Sequence, residues 1–284
     1  MATNFNIDDA YTKAIKLAKS HYENFPVISF LVPKELRKHI AIIYWFARTA
    51  DDFADEGDFS LEEKISFLEK FEMRFLDTIN GKFEADYDAA LFNTINQFNL
   101  EVKLFLDLIS AFIQDNKVNR YKTIEDVLDY CSRSANPIGR LLLQLFGLTK
   151  NHMLISSDKI CTALQLTNFL QDISIDSKKG RIYIPLEELE FYKVSESQFL
   201  YGTLDENYKA LLQFQIKRAS ELFQLGYDLI PHLQGLFKYE ILLTIKGGET
   251  ILKKIELNNY DVFNSRPTIS KFEAFKIFIS MFRR

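Results

Sequence analysis

The chain is poor in the residues that interrupt regular structure, since its 284 residues include only 10 glycines and 6 prolines. Folds rich in strands need turn residues at short intervals, so this scarcity favours long helices. Hydrophobic residues make up 47% of the chain, which is enough to form a sizeable core. No linker, repeat or low-complexity tract divides the sequence. We therefore predict an all-α protein with a single domain over residues 1–284.

Cysteine, net charge and long apolar runs are scarce as well. The two cysteines, Cys131 and Cys161, lie in apolar helical patterns, as expected in a reducing compartment. A net charge of −4 without a long run of one sign argues against a nucleic-acid partner. No signal peptide is recognised, and no apolar run reaches the roughly 18 residues that a spanning helix needs. We expect a cytoplasmic protein whose membrane contact is at most peripheral, at the inner face.

Apolar spacing and capping residues predict the helices. The first covers 8–22, and the second begins at Pro33, a good first helical residue, and ends near Asp55. A capping box at Ser60-Leu61-Glu62-Glu63 opens the third, which ends near Ile79. The remaining helices are predicted over 85–98, 101–115, 123 onward with a kink at Pro137, a segment through 161–176, 195–200, 205–230, 239–257 with an interruption at Gly247-Gly248, and 268–282.

The most informative stretch runs from Cys161 to Pro185 and reads CTALQLTNFLQDISIDSKKGRIYIP. On a helix, Gln165, Asn168, Asp172 and Asp176 form one stripe, with the two carboxylates about 6 Å apart along the axis. Their neighbours are largely apolar, and no Lys or Arg precedes Lys178 in this run. Buried carboxylates need a compensating cation, and oxygen-only ligands suit magnesium. The alternative, a solvated helix face, stays open.

A second acidic cluster follows Arg48 at the end of the second predicted helix. Asp51 and Asp55 are four residues apart, and so are Asp52 and Glu56. Acids at a helix C-terminus oppose the macrodipole, so a bound metal is a natural compensation. Facing each other across a bundle, the two D-x-x-x-D pairs would hold magnesium ions and a polyanion between them.

These motifs carry a resemblance to a known family. ARTADDFADE and QLTNFLQDISIDSKKGRIYIP resemble the paired signatures of the squalene and phytoene synthase family, and HYENFPV, LRKHIAIIYWFAR and YCSRSANPIG extend the likeness. The resemblance covers His21 to about Phe263. It implies a helical bundle of the isoprenoid synthase type with a central cavity, and an enzyme that joins allylic diphosphates head to head using Mg2+.

The resemblance also implies roles for individual residues. The implied magnesium ligands are Asp51, Asp55, Asn168, Asp172 and Asp176. The implied catalytic residues are Asp51, Asp52, Asp55, Asp172, Asp176 and Tyr130. The implied substrate-binding residues are His21, Tyr44, Arg48, Ala135, Gly139, Gln165, Asn168, Gln171, Arg181 and Gly248.

Two departures from the family pattern point to one branch. Gln171 stands where phytoene and dehydrosqualene synthases usually have Arg, and Gly248 stands where dehydrosqualene synthases have a substrate-facing Tyr. With the motif N-N-Y-D-V-F, they resemble the hydroxysqualene synthase branch, which ionises presqualene diphosphate and quenches the cation with water. The alternative is a conventional synthase that condenses two prenyl diphosphates. Gly248 either leaves room for a water that Gln171 orients or allows close helix packing.

Two other classes of protein remain to be weighed. A carboxylate-bridged di-iron bundle needs Glu-x-x-His pairs, which the four histidines do not provide. A helical scaffold explains the helices but not the acid clusters. The predicted partners are a prenyl diphosphate substrate (presqualene diphosphate or farnesyl diphosphate) and other squalene-pathway enzymes. The last helix, with Phe272 and Phe275 on one face, either contacts an anionic membrane or packs on the bundle.

Overall fold

The computed structural model describes residues 5–20, 30–55 and 57–281, and within these ranges the chain is all-α. No strand forms in the described ranges, where an isolated bridge joins Arg120 to Ile182. The α-helices are α1 (Ile7–Ser20), α2 (Lys34–Asp55), α3 (Leu61–Ile79), α4 (Asp86–Phe98), α5 (Val102–Lys117), α6 (Ile124–Ser134), α7 (Asn136–Leu145), α8 (Asn151–Gln171), α9 (Ile173–Asp176), α10 (Leu186–Phe191), α11 (Glu196–Tyr201), α12 (Glu206–Gly226), α13 (Phe237–Leu257) and α14 (Lys271–Ser280). Short 3-10 helices cover Ser177–Lys179 and Tyr227–His232.

The helices group into two compact units, each built from two stretches of chain. The first unit comprises residues up to 117 together with 137–150, and the second comprises 118–136 together with the chain from 151 onward. The chain therefore passes from one unit to the other after residues 117, 136 and 150. The expectation of a single domain stays a prediction.

The first unit has an aromatic core centred on α2. The ring of Phe46 lies 5.0 Å from Phe71, 5.0 Å from Phe75 and 5.1 Å from Phe105, measured between ring centroids. These residues come from α2, α3 and α5, and all are buried. Aromatic pairs at such distances stabilise the folded state beyond the contribution of their buried surface area. The core thereby anchors the helix whose C-terminal end carries the first acidic motif.

A buried polar network joins α1, α2 and α4 in the same unit. The Tyr11 hydroxyl donates to the carbonyl of Ala90 at 2.9 Å and lies 2.7 Å from Thr94 Oγ1. His39 Nδ1 lies 2.9 Å from the same Thr94 oxygen. Burial lowers the pKa of His39 to about 4, so the imidazole stays neutral at physiological pH. The network satisfies polar groups that would otherwise destabilise the core.

In the second unit, α8 packs against α12 and α13, and two glycines permit the close approach. A Cβ at Gly248 on α13 would lie 2.3 Å from Cζ of Phe223 on α12. A Cβ at Gly226 would lie 2.5 Å from Ile160 on α8. The α13 helix continues through Gly247 and Gly248 without the predicted interruption. Close packing, rather than room for a water, therefore explains the absence of a side chain at Gly248.

Most predicted helix starts are confirmed, but two predicted helices are each divided in the structure, the one with a kink at Pro137 and the one through 161–176. Ser60 and Thr123 form complete capping boxes, and α2 begins directly after Pro33. The predicted helix kinked at Pro137 is instead two helices, α6 and α7, that break at Ala135. Proline has no N–H to donate, so it is tolerated in the first turn of a new helix. None of the helices in the described part of the chain is long and apolar enough to cross a membrane.

Candidate functional site

The row of oxygen ligands predicted on one helix spans two helices in the structure. The α8 helix ends at Gln171, and Asp172 has φ −104° and ψ 12°, outside ideal helical geometry. The i, i+4 connections nevertheless persist across the break. Asp172 N–H donates to the Asn168 carbonyl at 2.9 Å, and Asp176 N–H donates to the Asp172 carbonyl at 2.9 Å. Asn168, Asp172 and Asp176 therefore keep the predicted register.

The basic loop after this row folds back onto it. Gly180 has a φ of +73°, a left-handed conformation that glycine adopts without strain. The next residue, Arg181, donates its backbone N–H to the Asp176 carbonyl at 2.9 Å. Arg120 Nη1 donates to the Gly180 carbonyl at 2.6 Å and holds the turn in place. These contacts place Arg181 beside the last acid of the second motif.

Arg266 lies at the candidate site and was not among the predicted site residues. Its Nε and Nη2 atoms donate to the two carboxylate oxygens of Asp172, the second at 3.2 Å. The hydrogen bond with Asp172 raises the pKa of Arg266, and the charges of Asp172 and Asp176 raise it further. Part of the positive charge expected beside these acids therefore comes from a guanidinium 94 residues later in the chain. No local signal in the second motif could have identified it.

A tight turn after α13 brings Arg266 to this position. Asn259 and Tyr260 both have positive φ, +53° and +64°, so the chain reverses direction sharply. The carboxylate of Asp261 accepts the backbone N–H groups of Phe263 and Asn264 at 3.2 and 3.0 Å. The N-N-Y-D-V-F motif therefore acts as the turn that positions Arg266.

Gln171, next to Asp172, contacts the segment that follows this turn and contains Arg266 and Pro267. Its side chain is fully buried, and its Nε2 donates to the carbonyl of Pro267 at 2.6 Å. This contact gives the amide nitrogen a structural partner, and the predicted role of Gln171 in orienting a water stays a prediction. Consecutive residues of the motif, Gln171 and Asp172, thus hold consecutive residues of the loop, Pro267 and Arg266.

The first acidic motif also has a nearby arginine. Arg48 pairs with Asp51 at 3.2 Å and with Asp52 at 2.6 Å, three and four residues further along α2. Asp55 is the last residue of α2 and is exposed. Arg48 therefore compensates part of the negative charge of the first motif, which the sequence had led us to assign to a bound metal alone. The predicted partner of Asp52, Glu56, lies outside the described residues.

Aromatic side chains gather beside the second motif. Phe169 stacks on Tyr183 with ring centroids 3.9 Å apart and an interplanar angle of 4°. Tyr130 lies 6.1 Å from Phe169 and 5.9 Å from Tyr183. Phe169 and Tyr183 also line a cavity of about 10 Å³ together with Asp176 and Arg181. Tyr183, which lies in the segment RIYIP, was not among the predicted site residues.

The remaining predicted site residues divide between the two units. Tyr44 packs against the core of the first unit, and Gly139 is buried on α7. In the second unit, Ala135 ends α6, and Gln165 is half-buried on α8. His21 lies outside the described residues. The expectation that the two motifs face each other stays a prediction.

The donor set of the second motif fits magnesium. Asn168, Asp172 and Asp176 would coordinate a metal through oxygen atoms only, and the Arg266 guanidinium shows that a cation is accommodated at Asp172. Among the described residues, no group of three or more His, Cys, Asp or Glu converges on one metal position. Magnesium does not require such a group, because it binds through one or two carboxylates, waters and substrate phosphates.

Comparison of the sequence with known proteins identifies the family to which the chain belongs. The model of the family described as squalene/phytoene synthase matches residues 18–273. A 15-cis-phytoene synthase from Synechococcus elongatus is 30% identical over 273 residues, which cover 92% of this chain and 88% of that protein. Neither the di-iron bundle nor the helical scaffold accounts for a match of this extent.

Two solved structures share the fold. The structure of squalene synthase HpnC from Alicyclobacillus acidocaldarius is 33% identical, with a TM-score of 0.84, and the match covers 90% of this chain and 96% of that one. A dehydrosqualene synthase in complex with a ligand is 20% identical, with a TM-score of 0.86 over 96% of this chain and 95% of that one. The second likeness concerns the fold alone.

Proposed function

Since the chain belongs to the squalene/phytoene synthase family, we propose that it ionises presqualene diphosphate and quenches the resulting cation with water to give hydroxysqualene. The observation that supports diphosphate chemistry is the row of Asn168, Asp172 and Asp176, in which Asp172 already binds the cationic side chain of Arg266. We propose that these three residues hold magnesium in the second unit, and that Asp51 and Asp55 hold it in the first. When bound, the metal supplies Lewis-acid stabilisation of the charge on the leaving diphosphate.

The protein's own side chains have separate tasks in this proposal. Arg48 and Arg181 donate hydrogen bonds to phosphate oxygens, a charge-assisted interaction that suits a guanidinium. His21 is proposed as a further donor. The rings of Phe169, Tyr183 and Tyr130 turn an apolar, electron-rich surface towards the carbocation and exclude bulk water. The cavity beside Asp176, at about 10 Å³, is at the lower limit of the space that one ordered water needs, so at most one water is proposed to take part there.

A second candidate function is the condensation of two prenyl diphosphates. It is supported by the relatives, several of which are named phytoene synthases at 26–30% identity. The water-quenching proposal is supported by the resemblance of the pattern at Gln171, Gly248 and N-N-Y-D-V-F to the hydroxysqualene synthase branch, and not by a water pocket at Gly248, where the helices pack closely. Both candidates use prenyl diphosphates, so only the product distinguishes them.

Product analysis tests the proposal directly. Purified protein with Mg2+ is incubated with presqualene diphosphate and, separately, with farnesyl diphosphate alone. We expect an alcohol whose hydroxyl oxygen carries label from H2-18O with the first substrate, and no product with the second. Presqualene diphosphate or phytoene formed from simple prenyl diphosphates would instead establish condensation.

We also propose that α14 rests on an anionic membrane surface. Phe272 and Phe275 are 65% and 59% exposed, so at these residues the helix face does not pack on the protein. Lys276 lies 4.4 Å from the centroid of the Phe272 ring, and Lys271 begins the helix. Apolar rings flanked by lysines match the acyl boundary and the negative headgroups of such a surface.

Co-sedimentation with vesicles measures this contact. The variant Phe272→Glu/Phe275→Glu should bind vesicles that contain phosphatidylglycerol at least about tenfold more weakly than the wild type, because it loses apolar burial and adds repulsion. The matched control, Phe191→Glu/Leu225→Glu, changes two residues that are also exposed and should bind as the wild type does. A wild type that stays in the supernatant would show that α14 does not bind membranes.

A further inference from the structure

Arg266 and a magnesium ion need the same atoms. The guanidinium uses both carboxylate oxygens of Asp172 through parallel hydrogen bonds, the strongest geometry for this pair. The Asp172 side chain is only 15% exposed, so it presents little additional surface to a second cation. A cation that binds the Asp172 carboxylate must therefore displace the guanidinium or share its oxygens.

The loop that carries Arg266 is fastened to the motif at adjacent points. Besides the ion pair of Arg266, the Pro267 carbonyl accepts the buried amide of Gln171. On the other side, Lys254 of α13 donates to the Thr268 carbonyl at 2.6 Å. The backbone of the loop therefore stays attached if the ion pair alone is broken, and only the Arg266 side chain has to move.

That side chain has space in which to move. It is 37% exposed and lines a cavity of about 390 Å³ formed by the loop and the end of α13. Leu257, Asn258 and Ser265 are among the other residues around this cavity. A guanidinium that leaves Asp172 can rotate into this space and be hydrated there without unfolding of the loop.

We propose that Arg266 is a reversible latch on the second motif, a positioning residue that occupies Asp172 until magnesium displaces it. This inference rests on the proposed magnesium chemistry. The latch compensates the negative charge of Asp172 and fixes the orientation of its carboxylate, while backbone hydrogen bonds keep Asp172 in register with Asn168 and Asp176. The energetic consequence is that metal binding is weakened by the free energy needed to open the latch.

Titration calorimetry with Mg2+, with and without inorganic diphosphate, tests the latch. Arg266→Gln should bind Mg2+ roughly two- to fivefold more tightly than the wild type, because a partly exposed ion pair no longer competes for Asp172. Arg266→Lys keeps the charge but loses the paired geometry, so its affinity should lie between the two. In the wild type, Mg2+ should also shift the NMR resonance of the Arg266 Nε–H group and speed its exchange with water, a change that long-range repulsion alone would not produce.

Arg74→Gln is the matched control. Arg74 also binds a carboxylate through two nitrogens, at 3.0 and 3.1 Å from the oxygens of Asp88, but it belongs to α3. Asp88 keeps the backbone N–H groups of Glu84 and Ala85 as donors, and the Mg2+ affinity of this variant should be unchanged. Equal Mg2+ affinity of wild type and Arg266→Gln would overturn the latch and leave the proposed function standing. No Mg2+ binding to any of the proteins, with or without diphosphate, would overturn both.

Discussion

Replacing Asp172 by Asn is expected to lower turnover by about 10²–10³-fold or more, because the neutral amide removes one of the two carboxylates that the second motif offers to the metal. Asp51→Asn, Asp55→Asn and Asp176→Asn should have effects of similar size. The helical content should be retained, since asparagine has nearly the same shape. Steady-state turnover at saturating substrate and a series of Mg2+ concentrations measures the loss, and circular dichroism checks the fold.

Asp129→Asn is a suitable control for these variants. Asp129 also pairs with an arginine, Arg133, but it is largely exposed and lies on α6, outside the acidic motifs. Its turnover should stay within about twofold of the wild type, because exposed ion pairs contribute little. Full turnover of the wild-type enzyme in excess chelator, or of Asp172→Asn without added metal, would contradict a magnesium-dependent reaction.

Replacing Gly248 by Ala is expected to destabilise the second unit, although alanine is the better helix former. The gain in helix propensity is about 1 kcal/mol, whereas overpacking a core commonly costs about 1–3 kcal/mol. The added methyl would lie 2.3 Å from Phe223 Cζ, and Phe223 is fully buried with little freedom to retreat. We expect a net loss of up to about 2 kcal/mol in the free energy of unfolding, measured as a lower urea midpoint. Gly248→Tyr should prevent close packing of α12 and α13 altogether.

The double variant Gly248→Ala/Phe223→Leu isolates the cause. Leucine removes the ring atoms that the new methyl would meet, so the double variant should recover most of the stability lost in Gly248→Ala. Phe223→Leu alone should be destabilised by about 1 kcal/mol, because it leaves a cavity. A Gly248→Ala protein at least as stable as the wild type would show that the helices separate easily, and the space at Gly248 would then be available for another purpose.

The helices were predictable where their signals are local. The capping boxes at Ser60 and Thr123 and the proline before α2 depend on residues within one turn, and the structure has all three. The breaks at Ala135 and Asp172 were missed because apolar periodicity continues across both positions. Whether a helix bends or ends at such a point depends on what packs around it, which periodicity does not contain.

The candidate site likewise has a part that was predictable from local spacing and a part that was not. The residue types and spacing of Asn168, Asp172 and Asp176 were apparent, and their register survives the helix break through two backbone hydrogen bonds. The cation at Asp172 was also expected, but its source was assigned to metal alone. Arg266 lies 94 residues away, and only the turn at Asn259 and Tyr260 brings it back.

The sequence by itself determined the all-α class, the oxygen-only chemistry of the acidic motifs and the family, because each depends on residue type and short-range spacing. Only the tertiary structure decided that Arg266 pairs with Asp172, that Gln171 holds Pro267, and that Phe223 fills the space beside Gly248. These contacts join residues 25 to 96 positions apart. A glycine or a glutamine has the same local pattern whether it faces a ligand, a loop or a neighbouring ring, so the packed chain alone determines its partner.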